Sequence, residues 1–178
     1  ETTIHDSSLI IRHLEKIEIE PKLIPEGLQE ASQVKIIENW ADTTLAKSIK
    51  IVFLEELSKN PKLISSLFSN KISDSMQKPL FNIPTKIASQ ISGLINQKEK
   101  ESLKLNLENL SNLINQENFL IGDKLSIADI SVASHLSLLK FPNSSGENLT
   151  GQGCSIYVND PSLQNLFKWR DMIEDQLA

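Results

Sequence analysis

Apolar positions recur along the chain at spacings of three and four, and no stretch alternates with period two, so the pattern predicts helices. A short helix is expected from about Ser7 to Leu14, behind an extended stub, Thr2-Thr3-Ile4-His5. Pro21, Pro25 and Gly27 then interrupt the pattern and read as a linker. A long helix follows over roughly Leu28 to Leu57. There Ile37, Ala41, Leu45, Ile49 and Val52 form a core-facing stripe, widened by Trp40 and Phe53. Asn60-Pro61 is a start signal, a capping side chain before proline at the first helical position. The helical pattern beyond it runs to Gln97 and is expected to bend near Pro79 and Pro84. Leu103, Leu107, Leu110 and Ile114 make a narrow seam on the next helix. Phe141 to Tyr157, rich in Gly, Asn and Ser, reads as a loop. A last helix opens at Asp160-Pro161 and is expected to bury Leu163, Leu166, Phe167 and Ile173.

The stretch Phe119 to Leu136, FLIGDKLSIADISVASHL, stands apart. On a helical wheel Ile127, Ile130, Val132 and Leu136 point in different directions, so this helix is expected to be surrounded by others. Ala128, Ser131, Ala133 and Ser134 are small enough to let neighbours approach closely. A helix that starts away from water needs protein partners for its first N–H groups. Ser126 and Asp129 supply them in the spacing of a capping box, flanked by Leu125 and Ile130 in hydrophobic-staple positions. Asp129 is therefore read as a structural cap in preference to a catalytic acid. His135 is read as a hydrogen-bonded core or edge histidine in preference to a ligand.

Composition narrows the function without naming it. Net charge is −5 with no basic stripe, which gives nucleic-acid binding little electrostatic support. No apolar run approaches the roughly 20 residues that span a bilayer, so no membrane partner is expected. The polar start ETTIHD lacks the pattern of a secretory signal. A single cysteine, Cys154, excludes an intrachain disulfide and fits a reducing compartment, so a cytoplasmic location is expected. With no Lys, Arg or His nearby in sequence to hold a thiolate, Cys154 reads as a packing residue or an exposed thiol.

The string Phe119-Leu-x-Gly-Asp-x-x-Ser126-Ile-Ala-Asp129-Ile resembles the most distinctive signature of the glutathione S-transferase C-terminal domain, where the same box opens the central helix. The helix containing ENWADTTL and the closing DPSLQNLFKWRDMI segment are similar to that domain as well. The resemblance covers roughly residues 25–178. The front of the chain, Ile4-His-Asp6-Ser7 through His13-Leu14, is similar to the end of the family's thioredoxin-like domain, with His13 where an aromatic is usual. The implied organisation is an all-α helical bundle of the glutathione S-transferase C-terminal type. It takes residues 28–178, with a thioredoxin-like remnant over 1–20 and a linker over 21–27.

The resemblance further implies a glutathione-dependent activity, with glutathione as co-substrate, a small electrophile as acceptor, no metal, and a homodimer. Asp6 and Ser7 would meet the γ-glutamyl end; read from the residues alone, one of them merely caps the helix they open. Asp42 would reach a glutathione ammonium across a dimer interface, or be a solvated surface carboxylate. Trp40 would line an electrophile pocket or belong to the core. The resemblance also implies about half a domain upstream of Glu1 with the thiol-activating Tyr, Ser or Cys, so the chain by itself is expected to be inactive. The competing expectation is a non-catalytic helical module of the same fold that binds protein.

Overall fold

Each apolar stripe marks a helix, and most of these helices close on one core. A computed structural model describes residues 7–17, 21–68, 97–114 and 117–177. The extended stub at Thr2–His5, Asp6, and the expected bends near Pro79 and Pro84 lie outside the described residues. Eight α-helices are described: α1 (Ser7–Glu15), α2 (Leu28–Trp40), α3 (Ala46–Lys59), α4 (Pro61–Phe68), α5 (Gln97–Ile114), α6 (Ile127–Leu136), α7 (Ser155–Val158) and α8 (Gln164–Asp175). Among the described residues there is no strand; one isolated antiparallel bridge joins Lys140 and Gly153. The family expectation of an all-α bundle holds. No helix among the described residues is long and apolar enough to cross a membrane.

The long second helix is interrupted in a way the pattern did not specify. Between α2 and α3 the chain passes through a π-turn, Ala41–Leu45, in which the amide of Ala46 reaches back to the carbonyl of Ala41. Residues four apart on an α-helix drift by about 40° per step, so a stripe at 37, 41, 45 and 49 would slide off the core. One wider turn corrects the drift. Ala41, Leu45, Ile49 and Val52 are all buried, with Trp40, Ile37 and Phe53 packed against them at the margin. Phe53 meets Phe141 edge-on, ring centroids 5.9 Å apart.

Helix α6 is the centre of the bundle, packed against α2, the π-turn, α3 and α8. Ile127, Ala128, Asp129, Val132, Ala133 and Leu136 are buried on it. It is not enclosed on every side, however. Ser134 is exposed, and Ser131 and His135 are half-buried, so one narrow edge reaches the surface beside the π-turn. The expected seam of α5 is buried through Leu103, Leu107, Leu110 and Ile114, as are Leu163, Leu166, Phe167 and Ile173 near and along α8. Asp160 caps a single 3-10 turn, Pro161–Leu163, before α8 begins.

Phe141 to Tyr157 differs from a plain loop. It carries α7, and Phe141, Cys154 and Tyr157 are core residues. Of the two expectations for Cys154, the packing one describes it: the thiol is fully buried, and its pKa is pushed up to about 12 by burial first and by the nearby Glu56 and Glu55 second. Glu55 and Arg170, both buried, brace the bundle. Glu55 of α3 is bridged by Lys59 and by Lys100 of α5. Arg170 of α8 donates to the Lys140 carbonyl and to Asp171 and lies over the Phe167 ring.

Candidate functional site at the α1–linker–α6 seam

The head of α6 is built from three stretches of chain. Ser126, in extended conformation, forms the reciprocal capping box with Asp129. One Asp129 oxygen accepts from the Ser126 amide at 2.9 Å and from the Ser126 hydroxyl at 2.7 Å. The other accepts from the amide of Leu120 at 2.7 Å, which ties the preceding loop down. The first helical amide, Ile127 N–H, is met by neither of these groups. It donates to the carbonyl of Leu23, in the linker, at 3.0 Å.

Leu23 is held in turn from α1. One oxygen of Glu15 accepts from the consecutive amides of Leu23 and Ile24, at 2.6 and 2.8 Å. The peptide unit on either side of Leu23 thus connects the end of α1 to the start of α6. Ile24, half-buried against Val34, Ile127 and Ala128, lies at the middle of this seam and lines three cavities around it. The one between α1 and α2, about 320 Å³, is lined by Arg12, Lys35 and Glu38 together with the apolar Ile24, Val34 and Ile127. A second, of about 620 Å³, follows α1 past Leu9, Arg12 and Lys16. The largest, about 880 Å³, lies between the linker and the Phe119–Leu125 loop. Chemically the α1–α2 cavity combines charged groups of both signs with an apolar lining, a combination suited to a largely apolar ligand with a polar end.

The residues singled out in the sequence fall in separate places. Ser7 opens α1, at the opposite end from Glu15, and Asp6 lies just outside the described residues. Ser126 and Asp129 sit at the head of α6. Asp42 lies in the π-turn, where its carboxylate accepts from Ser131 at 2.7 Å and meets His135 Nε2 at 3.1 Å, its side chain still 42% exposed. That contact makes His135 an edge histidine with an acidic partner. Trp40 is half-buried against the core.

Glu15 escaped the sequence reading. A signal was present: a carboxylate on the last residue of a helix opposes the helix dipole, whereas Arg12 and His13 in the same turn suit it. An acid in that position calls for some other donor. Arg170, buried to 1%, was also missed, because nothing in its local sequence marks it as a core cation.

Comparison with known proteins agrees with this architecture. Residues 87–175 match the family model for the glutathione S-transferase, C-terminal domain. FtsZ-localized protein A of Caulobacter vibrioides (strain NA1000 / CB15N) is 22% identical over 138 residues, which cover 78% of this chain and 50% of that protein. The chain therefore spans about half the length of this curated relative. No solved structure matches it. With the family match covering residues 87–175, half of the chain, and the capping box at its centre, the chain belongs to the glutathione S-transferase C-terminal domain family.

Proposed function

We propose that the chain serves a glutathione transferase-like protein, in which glutathione is held at the N-terminus of α1 and passed to a small electrophile. In this reading the first N–H groups of α1 receive the γ-glutamyl carboxylate, Ser7 adds its hydroxyl, and Asp6 accepts from the ligand ammonium. The observation that supports it best is the fastening of α1 to the helical domain by Glu15, beside a partly apolar cavity shared by α1 and α2. The helix that takes the peptide and the wall that takes the electrophile are joined at one seam. Transfer needs the glutathione thiol as a thiolate, stabilised by a positioned donor or dipole. Cys154 is no substitute for it, being buried and held protonated. A homodimer is the proposed functional unit, for which Leu28 and Ile36, exposed on α2, provide apolar surface.

A second reading, a non-catalytic module that binds protein, is favoured by one observation: the relative from Caulobacter is named for its localisation with FtsZ. Exposed Leu9, Ile10, Leu14 and Ile17 at α1 give such a module an apolar face. Isothermal titration with glutathione separates the two. Saturable heat accompanied by a rise in melting temperature is expected for the transferase reading. A folded protein that shows neither at millimolar glutathione leaves the interaction module.

A further inference from the structure

We infer that Glu15 is a positioning residue that couples the glutathione-binding end of α1 to the head of the core helix through the Leu23 peptide. The functional half of this inference rests on the glutathione reading; the coupling itself rests on geometry alone. Three hydrogen bonds run in series. Glu15 accepts from the Leu23 and Ile24 amides, and the Leu23 carbonyl accepts from Ile127, the first amide of α6. The two bonds to a carboxylate are charge-assisted and short. They fix the orientation of the linker backbone at Leu23 and with it the direction of the Leu23 carbonyl.

Two features separate this arrangement from an incidental linker contact. Glu15 is the last residue of α1, where a negative charge opposes the dipole, so its place there is sustained by the amides it binds. Ile127 N–H, among the four amides that no helix can satisfy internally, is left by the Ser126–Asp129 box to a residue more than a hundred positions away in sequence. The core helix thus starts on an acceptor whose alignment α1 controls. A ligand that orders α1 therefore steadies the Ile127 amide, and a shift of α1 loosens it.

Amide hydrogen exchange on the whole chain, followed by NMR, tests the coupling. With Glu15→Gln, exchange at Leu23, Ile24 and Ile127 is expected to quicken by about tenfold, the effect of exchanging charge-assisted hydrogen bonds for neutral ones. Val132 and Trp169, in the middle of α6 and α8, serve as controls and keep their wild-type rates. Glu15→Asp, which retains the charge on a shorter arm, is expected to restore part of the protection at Ile127, and it replaces the Gln variant should that one fail to fold. Faster exchange at Leu23 and Ile24 with Ile127 unchanged overturns the inference. So does a uniform loss of protection that spares neither control. Millimolar glutathione is then added: wild-type protein is expected to gain protection at Ile127, and Glu15→Gln to gain at least threefold less. If wild-type protein binds no glutathione, the functional reading falls while the ligand-free comparison still decides the coupling. If it binds but Ile127 responds equally in both proteins, the coupling fails and the glutathione reading stands.

Discussion

Asp129 reaches out of its own helix to accept the amide N–H of Leu120 at 2.7 Å, so one carboxylate both caps α6 and anchors the loop that leads into it. Its other oxygen takes the Ser126 amide and hydroxyl, and the whole group is buried. Removing it strands donors in a place water does not reach. Asp129→Ala is therefore expected to destabilise the chain by about 3 kcal/mol, the sum of a lost cap and at least one unmatched buried donor. Asp129→Asn keeps the shape but exchanges an acceptor for a donor, and about half that loss is expected. Urea unfolding with equal slopes for the three proteins measures both, and an unshifted midpoint for the alanine variant would refute the account.

Much of this was legible from local chemistry. A serine, a carboxylate three residues later and a run of apolar and small residues are sufficient to mark the start of α6, because capping is a short-range interaction. The stripes on α3, α5 and α8 were legible for the same reason, since helical periodicity carries burial directly. The contacts that connect distant segments were not. The bond from Asp129 to Leu120, the grip of Glu15 on the linker and the burial of Arg170 depend on which segments meet, and one-dimensional patterns do not encode that. The core role of Tyr157 was hidden by polar and glycine neighbours that made the stretch look like a loop, and that of Cys154 was one of two alternatives its local sequence left open.

The π-turn carries its own test. Asp42 bonds to Ser131 and to His135, joining the irregular turn to the exposed edge of α6. Because the carboxylate is partly exposed and competes with water for its partners, the interaction is modest. A double-mutant cycle with Asp42→Ala and His135→Ala is expected to give a coupling of about 0.5 to 1 kcal/mol. Strictly additive losses would show that the pair merely coexists. The cost to Asp42→Ala alone would then trace to Ser131.

Gly153 gives a sharper outcome. Its φ of 154° lies at the edge of the range that L side chains rarely adopt, and a Cβ built there would come 2.1 Å from the Leu139 carbonyl oxygen. That same carbonyl accepts from the Cys154 amide at 2.8 Å, so the two backbones cannot separate without breaking a bond. Gly153→Ala is expected to cost about 2 to 4 kcal/mol, comparable to overpacking a rigid site with a lost hydrogen bond added. Gly151→Ala, with nothing near its would-be Cβ, is expected to cost only the strain of its own positive φ, about 1 to 2 kcal/mol. Similar melting temperatures for the two variants would argue against the close approach of Gly153 to Leu139.

Cys154 and Tyr157 give the fold a stability that declines at alkaline pH. Burial pushes the thiol from its ordinary value of 9.0 up to about 12 and the phenol from 10.0 up to about 12. The Tyr157 hydroxyl has no hydrogen-bond partner among the described residues, so nothing offsets the loss of water on ionisation. In both cases the folded state retains a proton that the unfolded state releases. The unfolded chain therefore binds fewer protons above pH 9, and stability falls as pH rises from there toward 12. Below pH 9 the two groups contribute no slope. Denaturant midpoints are accordingly expected to decline between pH 9 and 11, and Cys154→Ala is expected to flatten the early part of that decline, at the cost of a small cavity. Native protein at pH 8 is expected to resist labelling by a disulfide reagent that titrates one thiol per chain after unfolding in urea. Rapid labelling of the folded protein would place the thiol at the surface and remove Cys154 from the core.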